Sequence, residues 1–306
     1  MNKERPVLVI KLGALGDFVQ ALGPFNAIRK HHASRQIVLL TTPPFVSLAE
    51  ASGYFDDIHA GIRPAWWQLK AILALRRWLH DLNPERVYDL QTSDRSNAYF
   101  KLFGSPRPEW SGIAASCSHP HANPQRDGMH TIERQAEQLA MAGVEVKTDF
   151  DRNWLDADIK HFKLAKRYVL LVPGGAPHRP FKRWPHYRSL ATRLVRKGIT
   201  PVILGTWAER DVIDDIFGAC PEAVDLSDKT SLMEIAGLSR KAVAAIGNDT
   251  GPMHLIAITG CRSIVLYSGA SDPLLCAQRG PHVQIIRKDQ LADIDVEEVE
   301  GKLTLS

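Results

Sequence analysis

The sequence predicts an α/β protein built from two doubly wound parallel-sheet domains facing a central cleft, and three observations carry that expectation. Short, wholly apolar runs alternate with longer amphipathic segments along the chain. The alternation restarts after a charged, aperiodic stretch near Asp149–Ala165. Glycine-containing turns follow several of the apolar runs. A strand covered on both faces of a parallel sheet must be apolar throughout, as in the run Tyr168–Val172, and strand-helix alternation is the pattern of parallel crossovers.

In the first half, strands are expected at Val7–Lys11, Gln36–Thr41, Arg86–Leu90 and Glu109–Ile113. Apolar residues three and four apart predict helices over Asp17–Lys30 and Trp66–Leu82. In the second half, strands are expected at Tyr168–Pro173, Thr200–Gly205, Ala242–Gly247 and Ser263–Tyr267. Helices are expected near Trp184–Lys197, Ala208–Gly218, Ser231–Arg240 and Pro252–Thr259. The domains are therefore 1–155 and 156–306, with a last helix at Val296–Leu303 that packs back on the first. Ligands of open α/β sheets bind outside the carboxyl ends of the strands, so the loops there are the place to look for chemistry.

Composition narrows the class without naming it. At 306 residues, 44% hydrophobic and 24% charged, the chain is long enough for two cored domains and does not read as disordered. A net charge of +4 suits an anionic ligand or membrane surface but is too small and scattered to imply nucleic acid. The four cysteines, Cys117, Cys220, Cys261 and Cys276, lack metal-binding spacing and read as free thiols in a reducing cytosol. No apolar stretch approaches the ~20 residues of a membrane span, and the run Val7–Ile10 is too short for a signal sequence. Work on a lipid would then be done from the cytoplasmic membrane surface.

Three loops carry the candidate chemistry. The first is Lys11-Leu12-Gly13-Ala14-Leu15-Gly16-Asp17. Gly13 and Gly16 allow a tight turn and close ligand approach, but the loop lacks the third glycine of a dinucleotide fingerprint. Asp17 suits either a helix N-cap or a general base taking a proton from a hydroxyl. The second loop runs from Gly174-Gly175-Ala176 to Lys182-Arg183-Trp184-Pro185, with Pro185 as the first residue of a helix. Lys182 and Arg183 there either attract an anion beside an electropositive helix start or stand as exposed basic residues. The third is Gly247-Asn248-Asp249-Thr250-Gly251-Pro252-Met253-His254. Asp249 or Thr250 can cap, Pro252 suits the first helical position, and free amides there can hold a diphosphate. His254 either adds a donor or is a satisfied structural histidine. Together the loops supply one base and a phosphate cradle, the inventory for metal-free group transfer from a nucleotide sugar. Asp156-Ala157-Asp158 has the spacing of metal-dependent transferases but lies in the linker, away from any cradle.

The first loop, the Gly-Gly-Ala and Lys-Arg-Trp-Pro pair, and Asn-Asp-Thr-Gly-Pro-Met-His resemble glycosyltransferase family nine, the ADP-heptose:lipopolysaccharide heptosyltransferases. The similarity runs in order over nearly the whole chain and is weakest between Tyr54 and Phe150. It implies a GT-B fold of two Rossmann-like domains, acceptor on the first and donor on the second. It further implies inverting transfer from an ADP-sugar to a lipopolysaccharide core or related lipid-linked glycan, with no cofactor or metal. Peripheral contact with the bacterial inner membrane goes with such an acceptor. By the resemblance Asp17 is the base and Lys182 meets the donor phosphates. Asp249, Thr250, Gly251 and His254 fall in the diphosphate loop, Glu209 holds the ribose, and Thr230-Ser231-Leu232 lines the nucleobase pocket. The loop Ala176-Pro177-His178-Arg179-Pro180 lacks the hydroxyls some members place beside the phosphates. The stretch Ser111–His130, with His119, His121, Arg126 and His130, aligns with nothing and reads as an acceptor lid or a solvated loop.

Readings from other classes remain. A nicotinamide-dependent oxidoreductase shares the domain type but needs the fingerprint that the first loop lacks. A non-catalytic nucleotide-binding module has no use for a base at Asp17. A transferase using another nucleotide sugar differs only in the base pocket.

Overall fold

The computed structural model describes residues 4–61, 63–175 and 182–303. The chain divides into two compact units, Met1–Asp151 and Arg152–Ser306.

The first unit runs β1 (Val7–Ile10), α1 (Leu15–Gln20), α2 (Leu22–His31), β2 (Ile37–Thr41), α3 (Val46–Ser52), β3 (Asp57–Ala60) and α4 (Leu69–Leu82). It continues with β4 (Arg86–Asp89), α5 (Asp94–Phe100), β5 (Glu109–Gly112), β6 (His119–Pro120) and α6 (Thr131–Ala140). The second unit runs β7 (Tyr168–Val172), α7 (Tyr187–Arg196), β8 (Thr200–Ile203), α8 (Arg210–Ala219), β9 (Val224–Asp225) and α9 (Leu232–Lys241). It closes with β10 (Ala244–Asn248), α10 (Gly251–Ile258), β11 (Ser263–Tyr267), α11 (Pro273–Cys276), β12 (Val283–Arg287) and α12 (Val296–Lys302).

Each unit holds one six-stranded sheet, ordered β3-β2-β1-β4-β5-β6 and β12-β11-β10-β7-β8-β9. Every pairing is parallel. Numbered within its own unit, the second sheet has the order of the first. In each, the strand order reverses once, between β1 and β4 and between β7 and β10, which is where a doubly wound sheet opens a crevice for a ligand. The central strands β1, β2, β7, β10 and β11 are buried along their whole length, as their apolar sequences require.

The departures from expectation have local causes. The helix expected over Asp17–Lys30 is two, parted at Ala21. Pro24 has no amide hydrogen and its ring opposes the carbonyl of Gln20, so one continuous helix cannot pass that point. The second-unit helix starts at Tyr187 rather than Pro185, because Trp184 is fully buried and its indole donates to the Ile294 carbonyl at 2.8 Å. On α10, Thr250 is the N-cap, Gly251 the first helical residue and Pro252 the second. The closing helix α12, expected against the first domain, instead buries Val296 and Val299 in the core of its own unit and pairs Glu297 and Glu300 with Arg193 of α7. The stretch Ser111–His130, expected as a lid or a solvated loop, is partly packed and partly exposed. It contributes β6, His121 is 3% exposed with Nε2 3.1 Å from Glu137, and His130 caps α6 by accepting from the Ile132 amide. All four cysteines are free thiols, three of them buried. Among the described residues no helix is long and apolar enough to cross a membrane.

Candidate functional site

In the second unit, the two strands flanking the reversal deliver the second and third motif loops. They are joined by Asn248, the last residue of β10, which is 1% exposed. Its amide nitrogen donates to the carbonyls of Pro173 (2.8 Å) and Gly174 (2.9 Å), and its Oδ1 accepts from the Trp184 amide (3.2 Å) and the Tyr187 hydroxyl (3.1 Å). A buried amide satisfied four ways ties Pro173 and Gly174, just past β7, and Trp184 and Tyr187, at the entry to α7, to the start of the third motif. Gly247 beside it admits no side chain, since a Cβ would lie 2.5 Å from Met253 Sδ and 2.9 Å from Val172 Cβ.

Above this brace, Lys182 approaches Asp249 at 3.6 Å and donates to the Ser271 hydroxyl, both charged side chains being 16% exposed. Asp249 also accepts from the Gln278 amide at 3.2 Å, and Gln278 in turn accepts from the buried Tyr267 hydroxyl at 2.8 Å. Burial raises the Tyr267 hydroxyl above its ordinary range, which keeps it a donor to Gln278. The carboxylate of Asp249 is therefore an orienter of the ammonium rather than a helix cap. The cap of α10, Thr250, makes no side-chain cap hydrogen bond, and Gly251 bares the first-turn amides. His254 lies buried on the same turn. These residues set one ammonium, steadied by Asp249, beside a bared helix start, where an anionic group can be bound.

Glu209 sits where β8 ends and serves the same corner. Its Oε1 accepts from the Gly175 amide at 3.1 Å and its Oε2 from the Thr206 amide at 2.8 Å. A Cβ on Gly174 would fall 1.9 Å from Glu209 Oε1, so the glycine is what lets the carboxylate reach this loop. Arg183, expected at the ligand, is committed to bracing: it pairs with Asp211 at 2.9 Å and donates to the Gly175 carbonyl at 3.2 Å. Beyond Glu209, Trp207 is 73% exposed, an unusual state for an indole, and its amide donates to Asp228 just before Thr230. Ser231 caps α9 in a reciprocal bond pattern with Glu234, and Leu232 is the first helical residue. The residues Ala176-Pro177-His178-Arg179-Pro180 fall outside the described residues.

In the first unit, the reversal between β1 and β4 is the seat of the first motif. Gly13 has φ +105°, and a Cβ there would lie 2.4 Å from the Phe45 ring, so the turn demands glycine twice over. Gly16 and Asp17 lie in the first turn of α1, Asp17 at the third helical position with its carboxylate accepting from the Ala14 amide at 3.3 Å. That is a half-exposed carboxylate held, among the described residues, by one long hydrogen bond, leaving lone pairs for a substrate proton. Behind it Lys11 is 3% exposed and donates to the Leu90 carbonyl at 2.8 Å. Burial pushes the Lys11 ammonium down to about 8, against the opposing pull of Asp17 and Asp89. Asp89 at the end of β4 is fully buried, and burial pushes its carboxyl up to about 6 against amide hydrogen bonds from Thr92 and Gln91.

Sequence reasoning named the three loops but missed what ties the second and third: Asn248 was inside a motif yet unassigned, and Gln278, Ser271 and Trp207 lay outside all motifs. For Trp207, a large aromatic directly after a strand end was an available signal. Among the described residues no group of three or more His, Cys, Asp or Glu is placed to hold a metal ion, and Asp156 and Asp158 serve as local turn caps.

Residues 72–303 match the family model for glycosyltransferase family 9 (heptosyltransferase). The chain belongs to glycosyltransferase family 9. A 131-residue stretch is 33% identical to lipooligosaccharide heptosyltransferase 2 of Haemophilus influenzae, covering 40% of this chain and 38% of that protein. The chain thus aligns with well under half of that relative's length. Among solved structures, the family 9 glycosyl transferase of Veillonella parvula superposes with a TM-score of 0.83 at 17% identity, covering 99% of this chain and 98% of that one. The Escherichia coli heptosyltransferase WaaC with ADP gives 0.77 at 19% identity, with 97% and 98% covered. At these identities the structural likeness concerns the fold, which is GT-B: two doubly wound units of Rossmann type in one family 9 chain.

Proposed function

We propose that the protein is an inverting glycosyltransferase that moves heptose from ADP-heptose to a lipid-linked lipopolysaccharide core acceptor at the cytoplasmic face of the inner membrane. The observation that carries this reading is the corner at the second unit's strand reversal, where the Lys182 ammonium, held by Asp249, stands beside the bared start of α10. A nucleoside diphosphate suits it: the diphosphate meets the ammonium and the amides, and the ribose lies toward Glu209. The nucleobase then lies toward Trp207 and Thr230-Ser231-Leu232. In the first unit Asp17 removes the acceptor hydroxyl's proton as its oxygen bonds to the anomeric carbon. The bond from that carbon to the diphosphate oxygen breaks, its electrons leave with ADP, and configuration inverts. Stabilising the departing charge is the work of Lys182 and the α10 amides.

Thermal unfolding with ADP, UDP, GDP and NADH in separate excess tests the donor class. A ligand at ~100 times its dissociation constant adds about 2.7 kcal/mol of stability. Stabilisation by ADP above the others is expected. A preference for UDP or GDP would overturn the adenine reading, and stabilisation by NADH alone would favour an oxidoreductase.

Two substitutions separate the parts of the site. Lys182→Ala should weaken ADP binding by about 1.5–3 kcal/mol, ten- to a hundredfold, as expected for losing a charge-assisted hydrogen bond. Unchanged affinity by titration calorimetry would remove Lys182 from the phosphates. Trp207→Ala should cost about 1–3 kcal/mol of ADP affinity through lost base stacking while leaving pyrophosphate binding unaltered. Equal losses for both ligands would place Trp207 away from the base.

A further inference from the structure

Half of the exposed large hydrophobic side chains in the described residues fall within eight positions of the first unit: Trp66 (80% exposed), Trp67 (66%), Leu69 (67%) and Leu73 (58%). Trp66 and Trp67 stand in the turn just before α4 and Leu69 and Leu73 on its first turns, and the opposite face of α4 is already satisfied by Leu75, Trp78, Leu79 and Leu82 against the core. The helix is therefore apolar on a face that packing within the unit does not explain, and single exposed leucines are ordinary but a cluster with two indoles is not. The two indoles meet edge to face at 5.5 Å, presenting one broad apolar surface.

The charge along this segment is cationic, the acidic residue of α4, Asp81, standing one turn beyond Arg77. Lys70, Arg76 and Arg77 are exposed on the same helix, while the 23 residues from Ile58 to His80 contain no aspartate or glutamate. Positions 69, 73, 76, 77 and 80 recur at helical spacing, so the leucines and arginines share one outward stripe. Indoles with leucines and a cationic margin are the composition that seats a helix in the headgroup region of an anionic bilayer. A two-fold contact with a second copy would instead set like charges against each other.

The chain just before this surface reaches the first motif. Arg63, three residues before Trp66, brings Nη2 to 2.8 Å from the point where a Cβ on Gly13 would stand. We infer that the segment Trp66–Arg77 is a membrane-docking surface that seats its indoles and leucines in an anionic lipid bilayer, beside the loop carrying Asp17. Its purpose rests on the transferase reading, since an acceptor anchored in lipid must be met at the bilayer. Its occurrence does not, because vesicle binding needs no donor.

Co-sedimentation of the full chain with phosphatidylcholine vesicles, with and without about one-third phosphatidylglycerol, tests it. The wild type should bind the anionic vesicles at least tenfold more strongly and release them in high salt. Trp66→Ser/Trp67→Ser should abolish binding, and Lys70→Gln/Arg76→Gln/Arg77→Gln should weaken it about a hundredfold, each with an unaltered melting temperature. Absence of wild-type binding, or binding unchanged in both variants, would overturn the inference. So would a wild-type dimer that the Trp66→Ser/Trp67→Ser variant dissolves without any vesicle binding, since a second copy would then cover the surface. Vesicle binding that persists in a protein insensitive to ADP would sink the transferase reading and leave this surface standing.

Discussion

Replacing Asp17 with Asn should lower turnover by about 10²–10⁴-fold, the contribution of a positioned general base, while ADP affinity and melting temperature stay at wild-type values. The expectation follows from how little the fold asks of this carboxylate. Among the described residues its hydrogen bond is a 3.3 Å contact from the Ala14 amide, which an asparagine oxygen accepts equally well. The turn that presents it is fixed by Gly13 and Phe45 rather than by Asp17. Asparagine keeps the shape and loses only the capacity to take a proton. Single-turnover kinetics with titration of ADP against the same preparation read both quantities, and a variant turning over at the wild-type rate would remove Asp17 from the chemistry.

Asn248→Ala is expected to act on structure and ligand together. It deletes both bonds that hold the carbonyls of Pro173 and Gly174 and both that anchor Trp184 and Tyr187. Leaving several of these partners buried and unpaired should cost about 3 kcal/mol, or roughly 6–12 °C in the melting of the second unit. Because the same bonds hold Trp184, two residues from Lys182, ADP affinity should fall by more than the tenfold lower bound set for Lys182→Ala. Asn248→Asp separates the parts: it keeps an acceptor for Trp184 and Tyr187 but sets a carboxylate against two carbonyls. Calorimetry of the three proteins decides, and an Asn248→Ala protein with wild-type melting and affinity would deny the brace.

These two residues mark how far the sequence could be read. Asp17 was legible because its signal is local: a glycine turn between an apolar run and a helix, with the carboxylate at a first-turn position. The central strands were legible for the same reason, since a doubly covered strand has no polar alternation to blur it. Asn248 belonged to a readable motif, yet its partners lie 61 to 75 residues away, a distance that only the parallel pairing of β7 with β10 closes. Gln278 reaches Asp249 across 29 residues for the same kind of reason. The strands that escaped notice, such as β3 and β12, stand at sheet edges and carry mixed polar sequence. The helix start misplaced at Pro185 depended on tertiary burial of Trp184, which no local pattern encodes.

Glycosyl transfer itself is the claim on which the rest depends. Its most direct test incubates the protein with ADP-heptose and a lipopolysaccharide core acceptor lacking heptose, following ADP release and the anomeric configuration of the product by NMR. Acceptor-dependent release of one ADP per heptose transferred is expected, with inverted configuration, and slowed about 10²–10⁴-fold in Asp17→Asn. ADP release that does not depend on the acceptor, or a product with retained configuration, would contradict it.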